Sequence, residues 1–222
     1  MPATDPLQCD ADGGALVSLM SRVAAQLRRP SGRVAGLVAW MLNRVNAPMN
    51  ARTLALLGVG PDDRVLEVGF GGGALLAAIA DVATRGMVAG VDFSTEVVER
   101  ARRQLHVRMA DGRLELHCGD AAAIPYPDGS FTRACAVNTI YFWPDPRAVL
   151  SEFRRVLAED GRLVIAFGAK ATAEKLPYTR HGFTLYEATE VRMLLTSVGF
   201  RTVRIEPSRA GRFEFFCLVA TR

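Results

Sequence analysis

Residues 64–92 read Arg64-Val-Leu-Glu-Val-Gly-Phe-Gly-Gly-Gly-Ala-Leu-Leu-Ala-Ala-Ile-Ala-Asp-Val-Ala-Thr-Arg-Gly-Met-Val-Ala-Gly-Val-Asp92. Arg64 to Val68 is a strand-like run that enters the glycine turn Gly69-Phe70-Gly71-Gly72-Gly73, and a small apolar helix pattern follows to about Ala83. A second apolar run, 87–92, stops on Asp92. Glycines at the end of a buried strand let backbone N–H groups and a helix N-terminus come close to a ligand. A carboxylate about 20 residues further on, at the tip of the next parallel strand, is placed to accept hydrogen bonds from ribose hydroxyls. The stretch predicts an adenosine-containing ligand held across strand tips.

Outward from this unit the strand–helix alternation continues. Ser94 is a good N-cap for a helix burying Val97, Val98, Ala101 and Leu105. Strand 3 is expected at 113–118, ending on Gly119-Asp120, and strand 4 at 132–137, ending on Asn138. Asp145-Pro146 pairs an N-cap with a first-turn proline and opens a helix burying Val149, Leu150, Phe153, Val156 and Leu157. Strand 5 follows Gly161 at 162–167. A helix started by a Thr184/Glu187 capping box, or by Thr189, carries the stripe Val191, Leu194, Leu195 and Val198 to Gly199. Two strands, 200–206 and 213–220, close the chain, joined by a turn over Ser208–Arg212 that is too short for a parallel crossover. The expected architecture is α/β: a Rossmann-like, doubly wound, mostly parallel seven-stranded sheet with an antiparallel last strand.

Before the first strand, residues 1–13 are polar and expected to be disordered, and 14–60 form an N-terminal helical addition, or lid, on the 61–222 core, all within one domain. One helix carries Leu16, Leu19, Met20, Val23 and Leu27 and closes at Pro30. A second has Val34, Leu37, Val38, Met41, Leu42 and Val45 on one face, and a third short one runs from about Asn50 to Leu57. Trp40 lies opposite the second helix's stripe and is placed to face the ligand; Met49 and Asn50 reach toward the same end.

Composition sets the outer bounds. With 222 residues, half of them hydrophobic and 23% charged, the chain suits one globular α/β domain. No apolar run is long enough to span a bilayer, and no secretory signal is visible. Cys9, Cys118, Cys135 and Cys217 show no metal-ligand spacing, so no metal is expected; three fall in expected strands as buried thiols, which fits a reducing, cytoplasmic setting. The net charge of +4 is nearly all arginine, and the Arg100, Arg102, Arg103, Arg108 cluster reads as a solvated helix face, with no nucleic-acid motif beside it.

The turn alone leaves two cofactors open. Gly69-x-Gly71-x-x-Ala74 satisfies the dinucleotide fingerprint, and Glu67-x-Gly69-x-Gly71-x-Gly73 satisfies that of S-adenosylmethionine (SAM) enzymes. Three features favour the second. Glu67 is placed to meet a cationic amino group and repels a pyrophosphate. Asp120, in Gly119-Asp120-Ala121, is placed to accept from an adenine amino group. The segment Ile124-Pro-Tyr-Pro-Asp-Gly-Ser-Phe131 then leads into strand 4.

With Val-Asp-Phe-Ser (91–94) and Glu-Phe-Arg-Arg-Val-Leu (152–157) added, the chain resembles the class I SAM-dependent methyltransferases. Within them it is similar to the type-11 group that includes quinone-biosynthesis enzymes, over roughly Arg52 to Phe167. The resemblance implies methyl transfer from SAM, leaving S-adenosylhomocysteine, to a small-molecule acceptor. It implies that Glu67 and the turn residues Gly69, Phe70, Gly71 and Gly73 hold the methionine portion, and that Asp92 holds the ribose with Phe93 against the adenine face. Asp120 and Ala121 take the adenine edge, and Asn138 lies beside the sulfonium. Alignment of acceptor and methyl group then contributes up to about 7–11 kcal/mol, and a general base is optional, worth roughly 10²–10⁴-fold where used.

For the acceptor side the sequence offers Trp40, Tyr141 and Trp143 as pocket residues and His181 or Tyr141 as candidate catalytic groups. Two other function classes stay open at this point. A nicotinamide-dependent oxidoreductase is one, although no Tyr-x-x-x-Lys pair is present; a SAM-binding regulatory protein without catalysis is the other.

Overall fold

A computed structural model of the chain describes residues 20–27 and 35–222. Residues 1–13, expected to be disordered, lie outside the described residues. A helix over 20–27 (α1) and the helix Ala35–Leu57 (α2) precede the sheet. Then come β1 (Arg64–Val68), α3 (Ala74–Val82), β2 (Met87–Asp92), α4 (Thr95–Gln104), a single turn α5 (His106–Met109), β3 (Leu114–Cys118) and β4 (Phe131–Val137). The chain continues with α6 (Pro146–Val156), β5 (Leu157–Gly168), a short α7 (Lys170–Ala173), α8 (Ala188–Ser197), β6 (Arg201–Ala210) and β7 (Phe213–Thr221).

The seven strands lie in the order β3-β2-β1-β4-β5-β7-β6, all parallel in sense except β7, which runs antiparallel between β5 and β6. The chain winds outward from β1 in one direction, then crosses to β4 and winds in the other, so the switch in strand order falls between β1 and β4. Ligand crevices of open α/β sheets lie outside the strand carboxyl ends at such a point. Both faces of the sheet are covered: Leu75, Leu76, Ile79, Val97 and Val98 of α3 and α4 on one side, Val149, Leu150, Phe153, Val191 and Leu195 of α6 and α8 on the other. Two-sided burial explains why β1 and β2 read as near-continuous apolar runs rather than alternating ones.

The N-terminal helices depart from the sequence expectation. The second and third expected helices are one, running through Pro48. Pro48 lacks an N–H and frees the carbonyl of Arg44, but both residues sit on the exposed side, where water can satisfy it. The far end of α2 is clamped to the sheet by arginines from β4 and β5. Arg133 Nε donates to the Leu57 carbonyl (3.1 Å), and Arg162 Nη1 to those of Leu56 and Leu57 (3.1 and 3.2 Å). Cationic donors at a helix C-terminus satisfy its free carbonyls and its dipole together.

Elsewhere the differences are local. Asp145 caps α6 as expected, accepting from the Arg147 and Ala148 N–H groups ahead of Pro146. The capping box of α8 is instead Glu187 with Glu190, a longer side chain doing what Thr184 and Thr189 were expected to do. The β4–β5 pairing jumps from Phe131↔Leu157 to Arg133↔Arg162, so β5 begins earlier than Gly161 and carries an irregularity with Asp160 at φ 59°. The last hairpin turns on Gly211-Arg212 alone: Ser208, Arg209 and Ala210, expected in the turn, pair with β7, as does Pro207 on the edge strand β6, where proline is tolerated.

Candidate functional site

Gly69, Gly71 and Gly73 have φ of 73°, 49° and 74°, the left-handed region that costs other residues about 1–2 kcal/mol each. The Gly69 N–H carries the β1–β2 ladder one residue further, to the Val91 carbonyl at 2.7 Å, and the left-handed steps then fold the turn tightly enough for the Gly73 N–H to reach the Phe70 carbonyl at 2.8 Å. Close approach matters too: a Cβ on Gly69 would lie 2.2 Å from Thr139 Cγ2. The Phe70 ring is buried and lies back over Gly90 of β2, where a side chain would collide with it, so it lines the crevice without blocking it.

Asp92, at the tip of β2, is 6% exposed and closes the turn from the other side. Its Oδ2 accepts from the Gly71 N–H at 3.1 Å and its Oδ1 from the Ser94 N–H at 3.0 Å. Burial pushes its carboxyl above the ordinary range, and these two N–H groups pull it back down. Each oxygen keeps acceptor capacity beyond the backbone bond it makes.

Glu67, at the end of β1 and only 3% exposed, has an Oε2 with no hydrogen-bond partner among the described residues. Burial, and secondarily the neighbouring Asp92, hold its carboxyl well above the usual glutamate range. A buried carboxylate without a partner is costly, and a cation placed against it removes that cost.

These groups line one cavity of about 520 Å³ at the carboxyl ends of β1, β2, β3 and β4. Phe93, Asp120 and Ala121 line its β2–β3 side; Asp120 is exposed, its Oδ1 taken by the Ala122 N–H at 2.9 Å. Asn138 follows β4 at φ 55°, donating from Nδ2 to Asn46 Oδ1 at 2.9 Å. The structure thus gathers Glu67, Gly69, Phe70, Gly71, Asp92, Phe93, Asp120, Ala121, Asn138 and Trp143 around one space. Gly73 shapes the turn behind it. Among the described residues the charged lining groups are Glu67, Asp92 and Asp120, with no lysine, arginine or histidine.

Of the roof, sequence reasoning offered Asn50, which lines the cavity, and Met49, which is instead buried in the core; it missed Asn43 and Asn46. Asn43, Asn46 and Asn50 project from α2 onto the cavity, with Asn43 Nδ2 donating to the Gly72 carbonyl at 3.2 Å. Their i, i+3, i+7 spacing, a polar stripe in an apolar helix, is the signal that marks that face. Cys118 also needs correcting: it is exposed and lines the cavity rather than being a buried thiol, whereas Cys135 and Cys217 are buried as expected.

Three acceptor-side expectations need correcting as well. Trp40 is 61% exposed and does not line the cavity, because α2 turns its asparagines inward and Trp40 outward. His181 follows the 3₁₀ turn Pro177–Arg180 and is half-buried away from the cavity lining. Tyr141 is buried beneath it: its hydroxyl accepts from the Gly168 N–H (2.6 Å) and donates to Asn138 Oδ1 (3.2 Å). Burial pushes this phenol far above its ordinary range, which rules it out as a neutral-pH base. Tyr141→Phe leaves the buried Gly168 N–H unpaired and is expected to cost about 1–3 kcal/mol of stability. Thermal unfolding measures that loss, and the pH profile of any activity is expected to keep its shape.

Residues 66–165 match the family model described as a methyltransferase domain. Over this segment, a little under half of its length, the chain carries a type-11 methyltransferase domain of the class I, SAM-dependent kind. The chain is 28% identical over 205 residues to a demethylmenaquinone methyltransferase of Clavibacter sepedonicus, covering 85% of this chain and 77% of that one. It is 32% identical over 124 residues to the 27-O-demethylrifamycin SV methyltransferase of Amycolatopsis mediterranei, covering 56% and 45%. It spans about half the length of most of the curated relatives it matches. A SAM-dependent methyltransferase of Aquifex aeolicus shares the fold, with a TM-score of 0.68 at 23% identity over 82% of this chain and 97% of the other. SAM is the cofactor of this family, and the partnerless Glu67 carboxylate and the glycine turn fit a cationic, nucleoside-bearing group.

Proposed function

We propose that the chain transfers a methyl group from SAM to a small-molecule acceptor in this cavity. One observation carries the reading: three carboxylates and no basic side chain among the described lining residues, an arrangement that attracts a cation and repels a dinucleotide's pyrophosphate. When bound, SAM supplies an electrophilic methyl on a sulfonium, which needs no further activation by the protein. Glu67 takes the ammonium end, Asp92 the ribose hydroxyls, Asp120 and Ala121 the adenine edge, and Phe93 the adenine face. Asn138, fixed by Asn46 and Tyr141, borders the methionine side, and Phe142 and Trp143 wall the acceptor space.

The chain's contribution is therefore positioning and exclusion of water. Every histidine, lysine and tyrosine of the sequence lies within the described residues, and none lines the cavity. An acceptor that brings its own nucleophile suits such a site: an amine, a thiolate, or an acidic phenol or enol.

The burial of Glu67 gives a test independent of turnover. An acid whose pKa is raised by folding stabilises the free chain most at low pH, and that contribution is lost as pH rises through the raised value. A cation needs the carboxylate ionised, so SAM binding is expected to release a proton and to tighten as pH rises through the same range. Calorimetry in buffers of different ionisation heat measures both. In Glu67→Gln the pH dependence is expected to flatten and affinity to fall by roughly tenfold or more, about 1.4 kcal/mol per decade. Tight NADH binding without SAM binding sinks the reading.

A further inference from the structure

α2 is inside out. A helix covering a sheet ordinarily buries its apolar stripe and shows its polar side chains to water. Here the asparagines 43, 46 and 50 face the cavity, and the opposite face presents Trp40, Met41 and Val45 to solvent at 61%, 42% and 64% exposure. Pro48 and Ala51 extend the same exposed face; its charges are Arg44 and, two turns on, Arg52, which is paired with Glu206 of β6.

The charge that the N-terminal segment itself carries is one-sided. Between Asp12 and Asp62 the sequence holds six arginines and no acidic residue, while the charges from Asp62 onward nearly balance. Arg22 and Arg44 are exposed, and neither has an ion-pair partner among the described residues. An apolar patch of this kind marks a contact surface, and interspersed arginines without acids select an anionic one.

We propose that the outward face of α2 docks on an anionic lipid surface. Trp40, Met41 and Val45 enter the boundary between headgroups and acyl chains, and Arg44 stays at the level of the phosphates. Tryptophan and arginine side chains are suited to that depth, each combining an apolar body with a polar tip. Among the described residues no helix is long and apolar enough to cross a membrane, so the contact is one of lying on the surface. Each arginine near such a surface adds an attraction that salt screens. Because α2 also roofs the cavity, docking brings the cavity beside the bilayer, where an apolar acceptor would be concentrated; this last step alone rests on the proposed methyl transfer.

The test uses the full chain and vesicles. It is expected to float with phosphatidylglycerol vesicles at moderate salt, to release at high salt, and to ignore phosphatidylcholine vesicles. Trp143 is already buried, so a blue shift of tryptophan emission on adding vesicles reports Trp40. Trp40→Ser/Val45→Ser and, separately, Arg44→Glu are expected to weaken vesicle partitioning at least tenfold with unchanged circular dichroism and unchanged SAM affinity. Equal binding to both lipids, or full retention by these variants, overturns the proposal. So does failure on all vesicles with sedimentation showing a dimer, which would assign the face to a second copy of the chain. Loss of SAM binding in the parent chain bears on the proposed activity and leaves the vesicle result readable.

Discussion

Gly69→Ala is expected to be the most damaging single-methyl change in the cavity wall. The residue sits at φ 73°, and the added Cβ would lie 2.2 Å from Thr139 Cγ2. The backbone cost is about 1–2 kcal/mol, and forcing a methyl into a filled space adds about 1–3 kcal/mol. Chemical denaturation is expected to show both together, and SAM affinity to collapse as the turn shifts. The two parts separate in Gly69→Ala/Thr139→Ser, which deletes Cγ2: the steric part returns and the backbone part stays. If the double variant is no more stable than Gly69→Ala, the contact with Thr139 is not what constrains the turn.

Asp92→Ala is expected to lower SAM affinity at least tenfold. The proposed ribose bonds are charge-assisted, worth about 1.5–3 kcal/mol each, and a decade of affinity is about 1.4 kcal/mol. The structure adds a second consequence. The same carboxylate accepts from the Gly71 and Ser94 N–H groups, so its removal also frees the turn and the start of α4. Asp92→Asn separates these roles, since one side-chain oxygen still accepts while the amide opposes the other N–H group. A folded Asp92→Ala chain that binds SAM as tightly as the parent contradicts the ribose assignment; titration with SAM, alongside an unfolding curve, decides it.

The strand tips were legible because they rest on local rules. Glycine spacing, Asp92 at a strand end and Asp145-Pro146 at a helix start each depend on a few neighbouring residues. The motifs at 125–131 and 152–157 were legible too, and the structure supplies their connection. Arg155 donates to the carbonyls of Ile124 (3.0 Å) and Tyr126 (2.8 Å) and to Asp128 (2.9 Å), while Glu152 Oε2 accepts from the Ile124 N–H at 2.9 Å. Pairing with Arg155 holds the Glu152 carboxyl below its ordinary range.

What the sequence concealed was orientation. Periodicity set Met41 and Val45 on an inward stripe with Trp40 opposite, whereas all three are exposed. The inward face is set by what the cavity accepts, asparagines that bond Gly72 and Asn138, and no count of hydrophobic positions contains that. Tyr141 was misread for a related reason: an aromatic cluster beside a cavity looks the same in sequence whether its hydroxyl faces the ligand or the Gly168 backbone.

The Arg155 clasp bears on how the protein is made. The connection from β3 to β4 has no helix or strand of its own, and much of its shape comes from side chains of α6, which leave the ribosome later. A nascent chain stopped short of residue 152 would already carry the first four strand sequences and the glycine turn, with the 124–128 stretch still unpinned. That flank of the crevice is completed late in synthesis, by a guanidinium that never touches the ligand space.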